Sequence, residues 1–193
     1  MAARFTRAEL ESFRDAEVPD LLPGAGGPPL RLLFVGINPG LWTAATQTHF
    51  AHPGNRFYPA LARAGVIERA VDPAAGMSAQ DRDHLLQRGI GVTNLARRAT
   101  ARADELTVEE LREGGRRLVR TVRRTGPAVV AVAGITAYRS AFGVRGAKQG
   151  RQPEDLEGAQ LWVVPNPSGL NAHETVDSLA RAYAAPARAA GVL

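Results

Sequence analysis

Two short stretches of the chain combine residue types that could handle a small polar reactant. One is Gly36-Ile37-Asn38-Pro39-Gly40, the other Pro165-Asn166-Pro167-Ser168-Gly169-Leu170. In the first, an amide rather than a carboxylate sits between residues that fix the backbone. Pro39 restricts Asn38 to extended conformations, and Gly40 lets a ligand approach the main chain. An asparagine so held can orient a water molecule, but it cannot remove a proton as an aspartate would. The second stretch ends in the apolar Leu170 among small and polar residues. Taken singly, each stretch could be a tight turn, and Leu170 could simply pack under the helix that follows.

Both stretches follow an apolar run, so their positioning depends on strands. Strands are expected at 30–35, 91–93, 128–133 and 161–164. The first, third and fourth are too continuously apolar for one-faced surface strands and suit a sheet covered on both sides. A short helix is expected at 6–16 in the arm before them, and helical patterns lie between the strands at 55–64, after the Pro53-Gly54 turn, and at 78–88. A longer helix begins at Thr107, whose hydroxyl and Glu110 form a capping box. Leu111, Leu118, Val119 and Val122 then share a face, with acidic residues near the start and arginines near the end to complement the dipole. A last helix, from about Glu174, stacks Val176, Leu179, Ala180 and Tyr183. Strands alternating with helices give an α/β fold, a three-layer α/β/α single domain with a mostly parallel central sheet. Sites in such folds lie at the carboxyl ends of the strands, where both stretches open and can converge on one ligand. Residues 1–29 read as an N-terminal helical arm and Gly/Pro loop, and 30–193 as the main domain.

The chain has 193 residues, 45% hydrophobic, enough to bury a core and too many for disorder. No apolar run is long enough to span a bilayer, and Met1 to Arg7 lack the apolar stretch of a secretory signal. A cytoplasmic protein is expected. The absence of cysteine excludes disulfides, iron–sulfur clusters and thiolate zinc sites. A net charge of +5 favours a polyanionic partner such as nucleic acid. Lys148 is the single lysine among 24 lysine and arginine residues, so the bias could equally reflect genomic base composition.

In chain order, Gly36-Ile37-Asn38-Pro39-Gly40-Leu41, Phe50-Ala51-His52-Pro53-Gly54-Asn55-Arg56-Phe57 and Asn166-Pro167-Ser168-Gly169-Leu170 resemble a known set of motifs. They are those of the mismatch-specific uracil-DNA and thymine-DNA glycosylases, within the uracil-DNA glycosylase superfamily. Gly91-Val92-Thr93-Asn94-Leu95 and Glu113-Gly114-Gly115-Arg116 also match, so the similarity runs from about Leu32 to Tyr183. The resemblance implies a monofunctional DNA-repair glycosylase of base-excision repair. Such an enzyme flips mismatched uracil (G·U), or a related damaged pyrimidine, out of duplex DNA and hydrolyses the N-glycosidic bond to leave an abasic site. It implies double-stranded DNA as the partner, no cofactor and no metal; a monomer is expected.

Carried over by position, Asn38 matches the catalytic asparagine that positions the attacking water. Phe50 matches the aromatic that stacks on the flipped base, and Ile37 and Gly40 match pocket-wall positions. Asn166 matches a site residue of the last motif. Gly169 and Leu170 match the wedge that enters the duplex, with Asn171 beside them; inserted apolar area can offset part of the unstacking cost. Asn171 and Ala172 stand where an enteric-type member has Ser-Arg, and Trp42 and Thr43 where small hydroxyl residues are common. Asn94 stands where some members carry lysine. It is similar instead to the asparagine with which highly active uracil-DNA glycosylases read uracil N3–H and O4, although a strand-end cap is an equal alternative. Gly40 stands where uracil-only enzymes of similar fold place a tyrosine that blocks a 5-methyl group.

A positioned general base typically contributes roughly 10²–10⁴-fold, and an asparagine largely forfeits it. Slow, dissociative bond cleavage is therefore expected, supported by main-chain donors to the departing uracil and by DNA phosphates near the sugar cation. Asp81, Asp83, Asp104 and Glu105 could assist, but no spacing selects one. His49 and His52 are close, yet His84 and His173 are remote and no acidic cluster joins them, which argues against zinc. No Gly-x-Gly-x-x-Gly or Gly-x-x-x-x-Gly-Lys-Ser/Thr cradle follows a strand. The 143–150 stretch reads as a flexible loop whose Arg145 and Lys148 could meet phosphates. A non-catalytic module that marks mismatches would use the same pocket and wedge.

Overall fold

The computed structural model describes residues 5–69 and 71–193. The first four residues, part of the arm and of the amino terminus considered above, lie outside the described residues. Four parallel strands form the sheet, β1 (Leu32–Gly36), β2 (Ile90–Asn94), β3 (Val129–Ala133) and β5 (Gln160–Val164). A two-residue β4 (Gly150–Arg151) runs antiparallel to β5 at the edge, giving the order β2-β1-β3-β5-β4. Alternation along each strand divides the core in two. Leu32, Phe34, Val129, Ala131 and Val164 face one side, where α3 (Phe57–Arg63), α4 (Ala79–Gln87) and α7 (Val176–Ala189) pack. Leu33, Val35, Val130, Val132 and Val163 face the other, under α5 (Val108–Thr125) and α6 (Ile135–Phe142). This is the three-layer α/β/α domain, with both sheet faces dry as the apolar runs require. No helix among the described residues is long and apolar enough to cross a membrane.

The expected cap of the long helix forms. Thr107 accepts from the Glu110 amide while the Glu110 carboxylate returns to Thr107, closing the capping box of α5. Thr175 closes a capping box with Ser178 on α7, and the Ser78 hydroxyl caps α4 by accepting from the Asp81 amide. Gly114 brings α5 against the loop after β2, since a Cβ there would lie 2.2 Å from the Leu95 carbonyl oxygen.

Some elements differ from expectation. The arm helix α1 is only Arg7–Glu11; the chain then turns and runs extended along the domain. Leu21 exchanges both backbone hydrogen bonds with Val92 and so covers the free edge of β2. Two helices lacked a legible signal, α2 (Leu41–Thr46) and α6, both starting directly at a glycine after a strand or loop. The 143–150 stretch is anchored rather than loose. Ala147 is buried, its carbonyl accepts from Arg139, and Gly150 already pairs with Val163.

Candidate active site

Because the four long strands are parallel, the loops after β1, β2, β3 and β5 leave one edge of the sheet. The loop after β2 knits itself to the loop after β1. Leu95, Ala96 and Thr100 amides donate to the Gly36, Ile37 and Pro39 carbonyls. Across the edge, Ile37 and Asn166 both approach Gly134 at the end of β3; a Cβ there would lie 3.2 Å from Ile37 Cδ1 and 3.9 Å from Asn166 Cβ. The two motif loops therefore meet over the centre of the sheet.

Asn38 is half-buried and its amide is fixed from one end. Nδ2 donates to Thr100 Oγ1 at 2.7 Å and to the Pro39 carbonyl at 2.9 Å. The Thr100 hydroxyl gives its own proton to the Arg102 carbonyl at 2.7 Å, so Asn38 meets its lone pairs. No donor among the described residues reaches Asn38 Oδ1, which leaves that oxygen available to accept from a water hydrogen. Thr100 is buried and sits 62 positions from Asn38, with no sequence signal to join them. Its segment is held by Arg98, which bonds Glu110, Asp15 and the Glu105 carbonyl. The Arg98 guanidinium and the Thr107 amide push the Glu110 carboxyl down to about 2.

Two residues before Asn38, at the end of β1, the chain meets an aromatic ring. Phe50 is half-buried and takes a left-handed backbone conformation, φ 56°, an uncommon state for a bulky residue that tends to persist at functional sites. One ring face stacks on the buried Phe57 at 4.1 Å, which fixes the ring against Phe34 and Tyr183 behind it. The ring edge reaches over Gly36, where a Cβ would stand 3.2 Å from Phe50 Cζ and 2.3 Å from Asn94 Oδ1. A Cβ there would displace the Asn94 amide. Asn94, the last residue of β2, thus turns its side chain across β1 toward the phenylalanine. Its Nδ2 lies 3.1 Å from Nδ1 of His49, a buried histidine whose pKa is pushed down by burial. Gly40 is exposed, and nothing lies within 4 Å of where its Cβ would be.

The loop after β5 has a different character. Leu170 is 87% exposed. It does not pack under α7, so the cap reading is overturned. The Asn166 side chain accepts from the Ser168 amide, and Asn171 Nδ2 donates to the Asn166 carbonyl, so that amide faces into the loop. Arg56 holds the loop from below, with guanidinium bonds to the carbonyls of Gly169, Asn171 and Glu174 and its own amide on Pro167. Gly169 rests on the Pro53-Gly54 turn so closely that a Cβ would meet the Gly54 carbonyl oxygen at 2.6 Å. His52 serves that turn, accepting from the Gly54 amide through Nδ1. Arg56 was visible in the second motif, but nothing in the sequence ties it to the loop.

The acidic residues lie elsewhere. Asp81 pairs with Arg69, Asp104 with Arg102 and Glu105 with Arg14. Among the described residues no group of three metal-ligating side chains is placed to hold an ion. A concavity of about 360 Å³ lined by Arg31, Arg88 and Gly191 opens at the opposite edge of the sheet, beside the start of β1. It is remote from Asn38 and unrelated to these loops.

The family model described as the uracil DNA glycosylase superfamily matches residues 23–185, a span that holds both motif loops, Phe50, Asn94 and Arg56 and leaves out residues 1–22 of the arm and 186–193 at the end of α7 and beyond it. The chain therefore belongs to the uracil DNA glycosylase superfamily: it is a DNA glycosylase of base-excision repair, hydrolysing N-glycosyl bonds.

Proposed function

We propose that the protein acts on mismatched uracil, and on related 5-substituted or damaged pyrimidines opposite guanine, by flipping the base from duplex DNA against the ring of Phe50. The observation that carries this reading is the held amide of Asn38. Among the described residues nothing donates to its Oδ1 and no carboxylate is bonded to it, and it stands two residues beyond Gly36, where Phe50 and Asn94 converge. That oxygen accepts from one water hydrogen and points the water lone pair at the sugar carbon, without taking a proton. The glycosidic bond breaks first, and the uracil anion leaves toward main-chain donors of the pocket wall near Ile37 and Gly40; the water oxygen then bonds the sugar cation, and the proton it releases neutralises the uracil anion. The second ring face of Phe50 stacks on the base.

Leu170 enters the duplex and fills the vacated position, a role that suits its exposure on a braced turn. Mismatched pairs open at lower cost than matched ones, which supplies selectivity without reading the partner base. The open space at Gly40 admits a 5-substituent. One chain carries every residue used, so a monomer without a cofactor suffices.

The test is single-turnover excision from duplexes carrying uracil, thymine or ethenocytosine opposite guanine, uracil opposite adenine, and single-stranded uracil. Uracil opposite guanine should be cleaved fastest among the duplexes. Asn38→Ala should slow it by about 10³-fold, within the range of a lost transition-state interaction, while binding of the same duplex persists. Equal rates opposite guanine and adenine would remove the mismatch preference, and unchanged cleavage by Asn38→Ala would remove the asparagine from the mechanism.

A further inference from the structure

The N-terminal arm reaches the pocket through one buried side chain. Pairing of Leu21 with Val92 lays the arm along β2 and places the Pro19 carbonyl 2.9 Å from His49 Nε2. A carbonyl only accepts, so Nε2 carries the proton. In the neutral ring Nδ1 then only accepts, and it must meet the NH₂ end of the Asn94 amide. The other end, Oδ1, is thereby turned over Gly36 toward the tip of Phe50. Three further groups face His49. Burial, the largest effect, keeps the imidazole neutral; the Pro19 carbonyl and Asp20 from the arm favour the charged ring, and Arg82 from α4 opposes it. Tyr58 from α3 donates to the His49 carbonyl and fixes its backbone.

We propose that His49, held by the Pro19 carbonyl, is a positioning residue that sets which end of Asn94 faces the base and so makes the pocket prefer an imide over cytosine. The inference rests on the reading of Asn94 as a pocket residue. An imide edge offers N3–H as donor and O4 as acceptor. Asn94 Oδ1 accepts from the former, and the Nδ2 hydrogen not used by His49 donates to the latter. Cytosine has an acceptor at N3 and a donor at N4, so it needs the amide reversed. Reversal would set Oδ1 against the lone pair of His49 Nδ1, two buried acceptors facing each other. Sites built this way reject the wrong edge through the polar groups it leaves unpaired.

The test is a double-mutant cycle on the full chain, read as single-turnover excision of uracil opposite guanine, with cytosine in the same duplex as the competitor. His49→Leu should slow uracil excision about tenfold with Asn94 present and by less than about twofold in the Asn94→Ala background, because coupled residues are non-additive. His49→Gln, which can still accept from Asn94, should recover most of the loss, and the uracil-to-cytosine ratio should fall in His49→Leu alone. Equal losses in both backgrounds would show that His49 merely packs, and would overturn the proposal. An Asn94→Ala variant with unchanged excision would instead sink the pocket reading, and the proposal with it. Should His49→Leu fail to fold, nitrogen NMR of the unmodified protein decides: a proton on Nε2 near neutral pH is expected, and one on Nδ1 overturns the assignment.

Discussion

The loop after β1 and the loop after β5 leave the same sheet edge, yet they are built in opposite ways. The first is sunk into the molecule: Gly36 and Pro39 are buried, and three carbonyls are taken by the segment that follows β2. Among the described residues nothing donates to its Asn38 Oδ1. The second stands out from the surface and lifts Leu170 into solvent, while a single arginine below it ties up its carbonyls. A group that aims a water must be held to fractions of an ångström. A group that fills a gap in a base stack needs apolar area and a stiff base beneath it. The contrast implies that damage to the first loop should slow excision from any substrate. Damage to the second should matter only when a base has to be extracted from a duplex.

The sharpest way to break that division is Leu170→Ala. Unstacking costs a few kcal/mol per step, so uracil excision from duplex should fall by about 10²-fold while single-stranded uracil is cleaved at the normal rate. An equal fall on both substrates would mean that the leucine supports the pocket and not extraction. Next in size, Thr100→Val keeps the shape but takes away the acceptor for Asn38 Nδ2. Loss of one buried hydrogen bond should slow excision roughly tenfold on duplex and single strand alike; a duplex-only effect would blur the two loops.

Arg56→Lys is milder. A single ammonium cannot span the carbonyls that the guanidinium fork holds, and duplex excision should drop by roughly fivefold with single-stranded cleavage unchanged. The smallest effect concerns stability. The His49 pKa is lowered by burial in the folded chain, so the unfolded chain takes up a proton first as pH falls below the ordinary value of about 6.5. Stability from the neutral ring is complete above that pH and is lost as pH drops toward the lower folded value. Melting curves between neutral and mildly acid pH should show this decline, and His49→Gln should flatten it.

Much of this architecture is written locally. The continuous apolar runs of β1, β3 and β5, the Thr107–Glu110 box, and the Gly/Pro/Asn stretches after two strands are each set by residues a few positions apart. The pieces that escaped are short or distant. Six-residue α2 and eight-residue α6 are too brief to display a helical period, and two-residue β4 exists only because β5 offers an edge. The partners of Asn38, Asn94 and Arg56 lie 62, 45 and more than 110 positions away. Thr100, His49 and the Gly169 to Glu174 carbonyls carry no pattern that would mark them.

The sequence by itself determined the kind of elements, their alternation, and the presence of an asparagine and a leucine on two turns, because propensity, capping and apolar periodicity act over a few residues. Only the tertiary structure decided which end of each amide faces the pocket, that Leu170 meets solvent instead of α7, and that the arm reaches His49. Those outcomes depend on which donor finds which acceptor across tens of residues, and such pairings are settled only when strands and helices pack.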